Sequence, residues 1–154
     1  MERITPCLWF DGKAEEAAEF YVSLFPDSKI TEVVPYPEGI AAGTMTVVFE
    51  LNGQQYVGLN GGPQFTFNEA VSFQIHCDDQ AEVDRLWAAL TEGGEEGPCG
   101  WLKDRYGLSW QVIPVRLLEL VQDRDTGRAR RAMDAMMTMQ KIDVATIEAA
   151  ADGR

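Results

Sequence analysis

From Ile4 to Phe10 the chain alternates, with Ile4, Leu8 and Phe10 on one side and Thr5, Cys7 and Trp9 on the other. That period predicts a half-buried strand. A helical pattern follows at once: Ala14, Ala17, Ala18, Tyr21 and Leu24 form an apolar stripe. Asp11-Gly12 supplies the expected cap, and Glu15 and Glu16 place carboxylates in the positive first turn. The same sequence of signals returns about halfway along the chain at constant spacing. Thr5 aligns with Ser72, Asp11 with Asp78, Ala14 with Ala81, Glu15 with Glu82 and Phe20 with Trp87. A strand-then-helix module is therefore repeated once.

In the first copy, Pro26-Asp27 ends the helix, and strands are predicted over Lys29 to Tyr36, Thr44 to Leu51 and Gln54 to Asn60. Asn52-Gly53 marks a tight hairpin because both residues tolerate positive φ. Asn60-Gly61-Gly62-Pro63 and the polar stretch to Glu69 read as a linker. In the second copy, a strand from Val71 to Cys77 turns Ser72, Gln74 and His76 to one face and Phe73, Ile75 and Cys77 to the other. Asp79 and Glu82 suit a capping box, and Val83, Leu86, Trp87 and Leu90 lie at helical spacing. Gly93-Gly94 stops the helix. The following strand at Glu95 to Gly100 is expected to be stunted, and Trp101 to Asp104 and Leu108 to Val115 complete the sheet around a turn at Arg105-Tyr106-Gly107. Helices are predicted over Pro114 to Val121, Gly127 to Met139 and Val144 to Ala151, with no counterpart after the first copy. The fold class is thus α+β: two βαβββ modules (about 1–62 and 70–115), forming one paired domain over 1–115, and a helical tail over 116–154.

The chain has 154 residues, 45% of them hydrophobic, enough for one well-buried domain and short for two ordinary ones. Asp and Glu outnumber Lys and Arg by 25 to 13, for a net charge of −12. That charge repels phosphate backbones and anionic lipid, so neither nucleic acid nor membrane is an expected partner. Met1-Glu2-Arg3-Ile4 leads directly into the strand pattern without an apolar signal core, which makes a cytoplasmic location the expectation. Three cysteines, Cys7, Cys77 and Cys99, lack zinc-finger spacing and are expected to be free thiols. Cys99, in a Gly-Pro-Cys-Gly loop, is expected to be the most exposed.

A βαβββ module repeated once resembles the vicinal oxygen chelate superfamily, which includes glyoxalase I. The strings ITPCLWFDGKAEEAAEFYVSLFPDSKI (Ile4 to Ile30) and GWLKDRYGLSWQVIP (Gly100 to Pro114) are similar to the PhnB-like family, whose members often carry the label of a demethylubiquinone methyltransferase. The resemblance is read as extending over the whole chain, tail included. It implies curved mixed sheets whose free faces enclose a cup, and it places the superfamily's four metal-ligand positions on Thr5, on Gly58 or Asn60, on Ser72 and on Gln111. Only Gln111 keeps a ligand-like side chain, so no metal and no other cofactor is expected. Nor do the glycines suit S-adenosylmethionine, which is usually held at a glycine-rich turn between a parallel strand and a helix. Gly61-Gly62 follows a hairpin strand and Gly93-Gly94 ends a helix, so both pairs read as loop punctuation.

A polar and aromatic set remains for the cup: Thr5, Cys7, Trp9, Tyr56, Asn60, Ser72, Gln74, His76, Ser109 and Gln111. Flat rings beside amides and hydroxyls suit a small organic ligand. His76 is the only histidine and hence the candidate general base, with Cys7 a candidate nucleophile if their strands meet. Three functions follow: a small-molecule binding protein, an enzyme (methyltransferase or lyase) acting on a small aromatic compound, or a structural or regulatory dimer without a ligand. A homodimer is expected in each. Asp104 and Arg105 are assigned to the hairpin turn, Trp110 to the core, and Trp101 to either face.

Overall fold

The computed structural model describes residues 3–154. Met1 and Glu2, read above as leading into the first strand, lie outside the described residues. The chain forms two compact units that divide between Phe67 and Asn68, inside the predicted linker.

The first unit contains β1 (Cys7–Phe10), α1 (Ala14–Leu24), β2 (Lys29–Pro35), β3 (Thr44–Leu51) and β4 (Gln54–Asn60). Its sheet has the order β1-β4-β3-β2, with β1 parallel to β4 and the other pairs antiparallel. Leu8, Phe10, Val47 and Phe49 are buried beneath the Ala14, Ala17, Ala18 and Tyr21 stripe of α1, as the alternation predicts. Ile4 departs from that pattern. It precedes the strand and is 89% exposed, because pairing with β4 begins only at Cys7. Asn52 and Gly53 take φ values of 51° and 80°, and the hairpin turns on them as predicted.

The predicted cap at Asp11-Gly12 is replaced by a longer-range device. Lys13 occupies the cap position of α1 without a side-chain hydrogen bond. Asn60 at the end of β4 accepts instead from Ala14 N–H through Oδ1 at 2.9 Å, and its Nδ2 donates to Thr44 O at 3.0 Å. The Tyr36 hydroxyl donates to Asn60 O. One buried amide thus ties α1 to two strands, satisfying a helix-end donor that local sequence leaves open.

The second unit repeats the plan: β5 (Ser72–Cys77), α2 (Gln80–Thr91), β6 (Glu95–Glu96), β7 (Trp101–Lys103) and β8 (Ser109–Pro114), in the order β5-β8-β7-β6. The stunted strand is β6, with two residues. The Asp79 side chain accepts from Glu82 N–H at 2.9 Å, while Glu82 accepts from Asp78 N–H at 2.8 Å. Both Gly pairs have packing reasons. A Cβ on Gly61 would lie 2.3 Å from the Trp9 ring, and one on Gly94 2.1 Å from Lys103 O.

The tail comprises α3 (Val115–Val121), α4 (Thr126–Met136) and α5 (Val144–Ala151). It builds a core of its own from Leu117, Leu120, Ala132, Ile142, Ile147 and Ala151 around Ile113 of β8. Polar ties fix it to the rest of the unit. The Gln80 amide donates to Ile142 O and accepts from Val144 N–H, Lys141 pairs with Asp84, and Cys99 and Gly100 N–H donate to Met139 and Gln140 carbonyls. Among the described residues no helix is long and apolar enough to cross a membrane.

Candidate functional site

The site-bearing hairpin of the second unit is set by one buried carboxylate. Asp104, 2% exposed, accepts from Tyr106 and Leu108 N–H through Oδ1 and from Trp110 Nε1 through Oδ2 at 2.9 Å. These bonds close the β7–β8 turn and lock Trp110 into the core, the roles read from sequence. Trp110, Val112 and Leu102 therefore point into the core. By strand parity, Ser109, Gln111 and Ile113 of β8 share the other face with Trp101 and Lys103 of β7 and Ser72, Gln74 and His76 of β5.

On this second face lies a cavity of about 450 Å³ lined by Glu69, Glu95, Glu96, Trp101, Lys103 and Ser109, with Gly97 and Pro98 at its side. Glu69 pairs with Lys103, whose ammonium holds the Glu69 carboxyl below its usual range, chiefly through their hydrogen bond. Glu96, in register with Leu102, turns its carboxylate to the α2 side and accepts from Trp87 Nε1 at 2.8 Å. Ser109 is fully buried, and its Oγ has no hydrogen-bond partner among the described residues. A buried hydroxyl left unpaired costs about 1–3 kcal/mol. Ser109 Oγ is thus the buried polar atom of this wall that lacks a partner among the described residues.

Beside the cavity runs an amide ladder. Gln111 Nε2 donates to Ser72 Oγ at 2.8 Å, and Gln74 Nε2 donates to Gln111 Oε1 at 3.4 Å. A second cavity of about 420 Å³ lies against the tail, lined by Gln111, Ile113, Leu118, Val121, Met133 and Met136 together with Cys99, Leu117 and Met137. Pro98 and Trp101 line both cavities. The tail residues of this chamber escaped the sequence reading, although Trp101 and Lys103 were within reach of it: pairing β7 with β8 across the Arg105-Gly107 turn puts them on the Ser109 face.

The other sequence-derived positions fall differently. His76 is exposed on β5, opposite Ile113 in register, and lines neither cavity. Cys7 belongs to the first unit and is exposed beside Trp9, with burial of part of its side chain raising the thiol's pKa. Trp9 donates from Nε1 to Gly62 O at 2.8 Å and meets Phe65 edge-on, ring centres 4.9 Å apart, so its indole is engaged by the segment after β4. Thr5 is half-buried just ahead of β1. Tyr56 and Asn60 require correction. Both share the parity of Gly58, where a Cβ would lie 3.2 Å from Ala14 Cβ, so they face α1 and not the open face. Tyr56 stacks on buried Phe49 and Asn60 caps α1. Cys99 is half-buried with its Sγ 3.7 Å from Met137 Sδ, whereas Cys7 is the exposed thiol.

The metal implied by the sequence resemblance is not matched by these donors. Gly58 points into the α1 packing, Thr5 and Ser72 offer neutral hydroxyls, and the Gln111 amide is already bonded to Ser72 and Gln74. Neutral oxygens of this kind do not hold a divalent transition ion against water. Among the described residues no three His, Cys, Asp or Glu side chains are grouped to do so.

The family described as 3-demethylubiquinone-9 3-methyltransferase matches residues 2–113. The PhnB protein from Bacillus cereus, which carries the same family description, is 34% identical with a TM-score of 0.67, over 73% of this chain and 99% of that one. Protein PA1353 from Pseudomonas aeruginosa (22% identity, TM-score 0.61, 74% and 98% covered) shares the fold. So does an Arabidopsis thaliana gene product (18% identity, TM-score 0.50, 71% and 96% covered). No curated protein matches. The family match ends at Ile113, so the resemblance does not extend over the tail as the sequence reading had it.

Proposed function

The chain belongs to the 3-demethylubiquinone-9 3-methyltransferase family, the PhnB-like group with paired βαβββ modules, and from that premise we propose that it binds a small organic molecule, without a metal, in the cavity above Ser109. The observation that carries this reading is the orphaned Ser109 Oγ at a cavity of ligand size. An unpaired buried hydroxyl is costly in the empty protein and becomes satisfied when a ligand's polar atom reaches it. Trp101 supplies a flat wall, and Lys103 with Glu69 and Glu95 a polar rim. The methyltransferase label gains no support from the glycines, which are explained by packing against Trp9 and Lys103. Nor does an exposed His76 outside the cavity support general-base chemistry.

A diverse fragment set read by melting temperature tests the proposal. Binders should raise the melting temperature in proportion to occupancy, equally with and without EDTA, and lose the effect in Ser109→Ala. Zinc, nickel or manganese alone should add nothing. A set in which every stabilising compound acts unchanged on Ser109→Ala, or acts only with added metal, contradicts the proposal.

A further inference from the structure

The two cavities of the second unit differ in chemistry yet share a wall. The chamber above Ser109 has two carboxylates, Glu69 and Glu95, against the single ammonium of Lys103, and so carries a net negative charge at neutral pH. The chamber under the tail is apolar: Leu118, Val121, Met133 and Met136 line it, and Gln111 is its one amide. Trp101 lines both. Met133 and Met137 are 44% and 62% exposed, an unusual outlay of flexible apolar surface. Only the polar chamber lies within the segment shared with the family; the walls from Leu117 onward come from the tail beyond it.

We propose that the two chambers hold one ligand, an amphiphilic amine whose ammonium sits by Ser109 among the carboxylates and whose hydrocarbon chain passes Trp101 into the methionine-lined chamber. The inference rests on the binding reading above and names its ligand class. Charge decides the head group. An ammonium donates to the free Ser109 Oγ, is drawn by the surplus of carboxylate, and can lie against the Trp101 face, whereas an anionic head meets repulsion. Methionine decides the other end, because unbranched thioethers adapt to chains of varied shape. The tail is then a specificity element added to the family's fold.

Straight-chain primary amines from propylamine to decylamine, titrated calorimetrically into the full chain, test this directly. Affinity should rise about fourfold per added methylene until the second chamber is full. Carboxylates of equal length should bind at least tenfold more weakly. Met133→Trp, at a half-exposed position that tolerates bulk, should remove the gain with chain length and leave propylamine unchanged; Val121→Phe, which narrows the same chamber from α3, serves as the second variant. Affinity independent of chain length, or a length gain untouched by both variants, overturns the inference. So does binding of carboxylates as tight as that of amines, or no binding by any amine. None of these results reverses the fragment test, which decides the Ser109 cavity with compounds of any class.

Discussion

At Asn60 a single amide does what local sequence assigns to Asp11. Its Oδ1 caps Ala14 in the buried interior of the first unit, and its Nδ2 holds Thr44. Asn60→Ala should therefore cost about 2 kcal/mol in urea denaturation, since it strands a helix-end N–H and a strand carbonyl. Asp11→Ala should cost under about 0.5 kcal/mol, as at an ordinary surface position. Ser109 is the opposite case. Removing an unpaired buried hydroxyl should raise the stability of the unliganded protein by about 1 kcal/mol, while removing ligand-induced stabilisation, which is the pattern of a residue kept for binding at the expense of folding. A Ser109→Ala protein less stable than the parent would show that the hydroxyl is paired after all. The thiols separate by environment. Burial pushes Cys77 up to about 12, aided by the charge of Glu82, from an ordinary value of 9.0. The folded state thus keeps its proton where the unfolded chain loses it, so stability is full below pH 9 and falls as pH rises toward 12. Cys77→Ala should flatten the slope of unfolding free energy over that range. Brief alkylation should label Cys7 and Cys99 before Cys77.

Among the elements, β5, β7 and β8 were legible because alternation and hairpin signals agree there, and the polar face they predict contains Ser72, Gln74, Ser109 and Gln111 as read. The face of β4 was misread. Its parity is set across the sheet, by the pairing of Tyr56 with Phe49 and the approach of Ala14 to Gly58, and neither partner is near in sequence. Gly58 was the available signal, since glycine inside a strand marks a close approach of another element. The cap of α1 was illegible for the same reason: Asn60 lies far along the chain from Ala14. Gly94 offers a test at this scale. Its missing Cβ makes room for β7, where the obstruction is backbone, so Gly94→Ala should cost about 3 kcal/mol.

For the whole molecule, the repeat was readable because both copies keep the spacing of cap, apolar stripe and strand, and both sheets take the same strand order. The tail's helices were readable too, but their partner was not, since a helical pattern names an apolar face without naming what covers it. Ile113, Gln80 and Gly100 supply that partner. Deleting residues after Pro114 should consequently expose the Ile113 patch and cause aggregation in light scattering; a soluble truncation of unchanged melting temperature would show the tail to be dispensable. The polar face of the second unit is the proposed binding site, built on Ser109. Amide and indole NMR shifts during titration with a stabilising fragment test it most directly. Saturable shifts are expected at Ser109, Lys103 and the Trp101 indole N–H, with His76 and the first unit's Trp9 unmoved. Saturable shifts confined to residues outside the Ser109 cavity would contradict it.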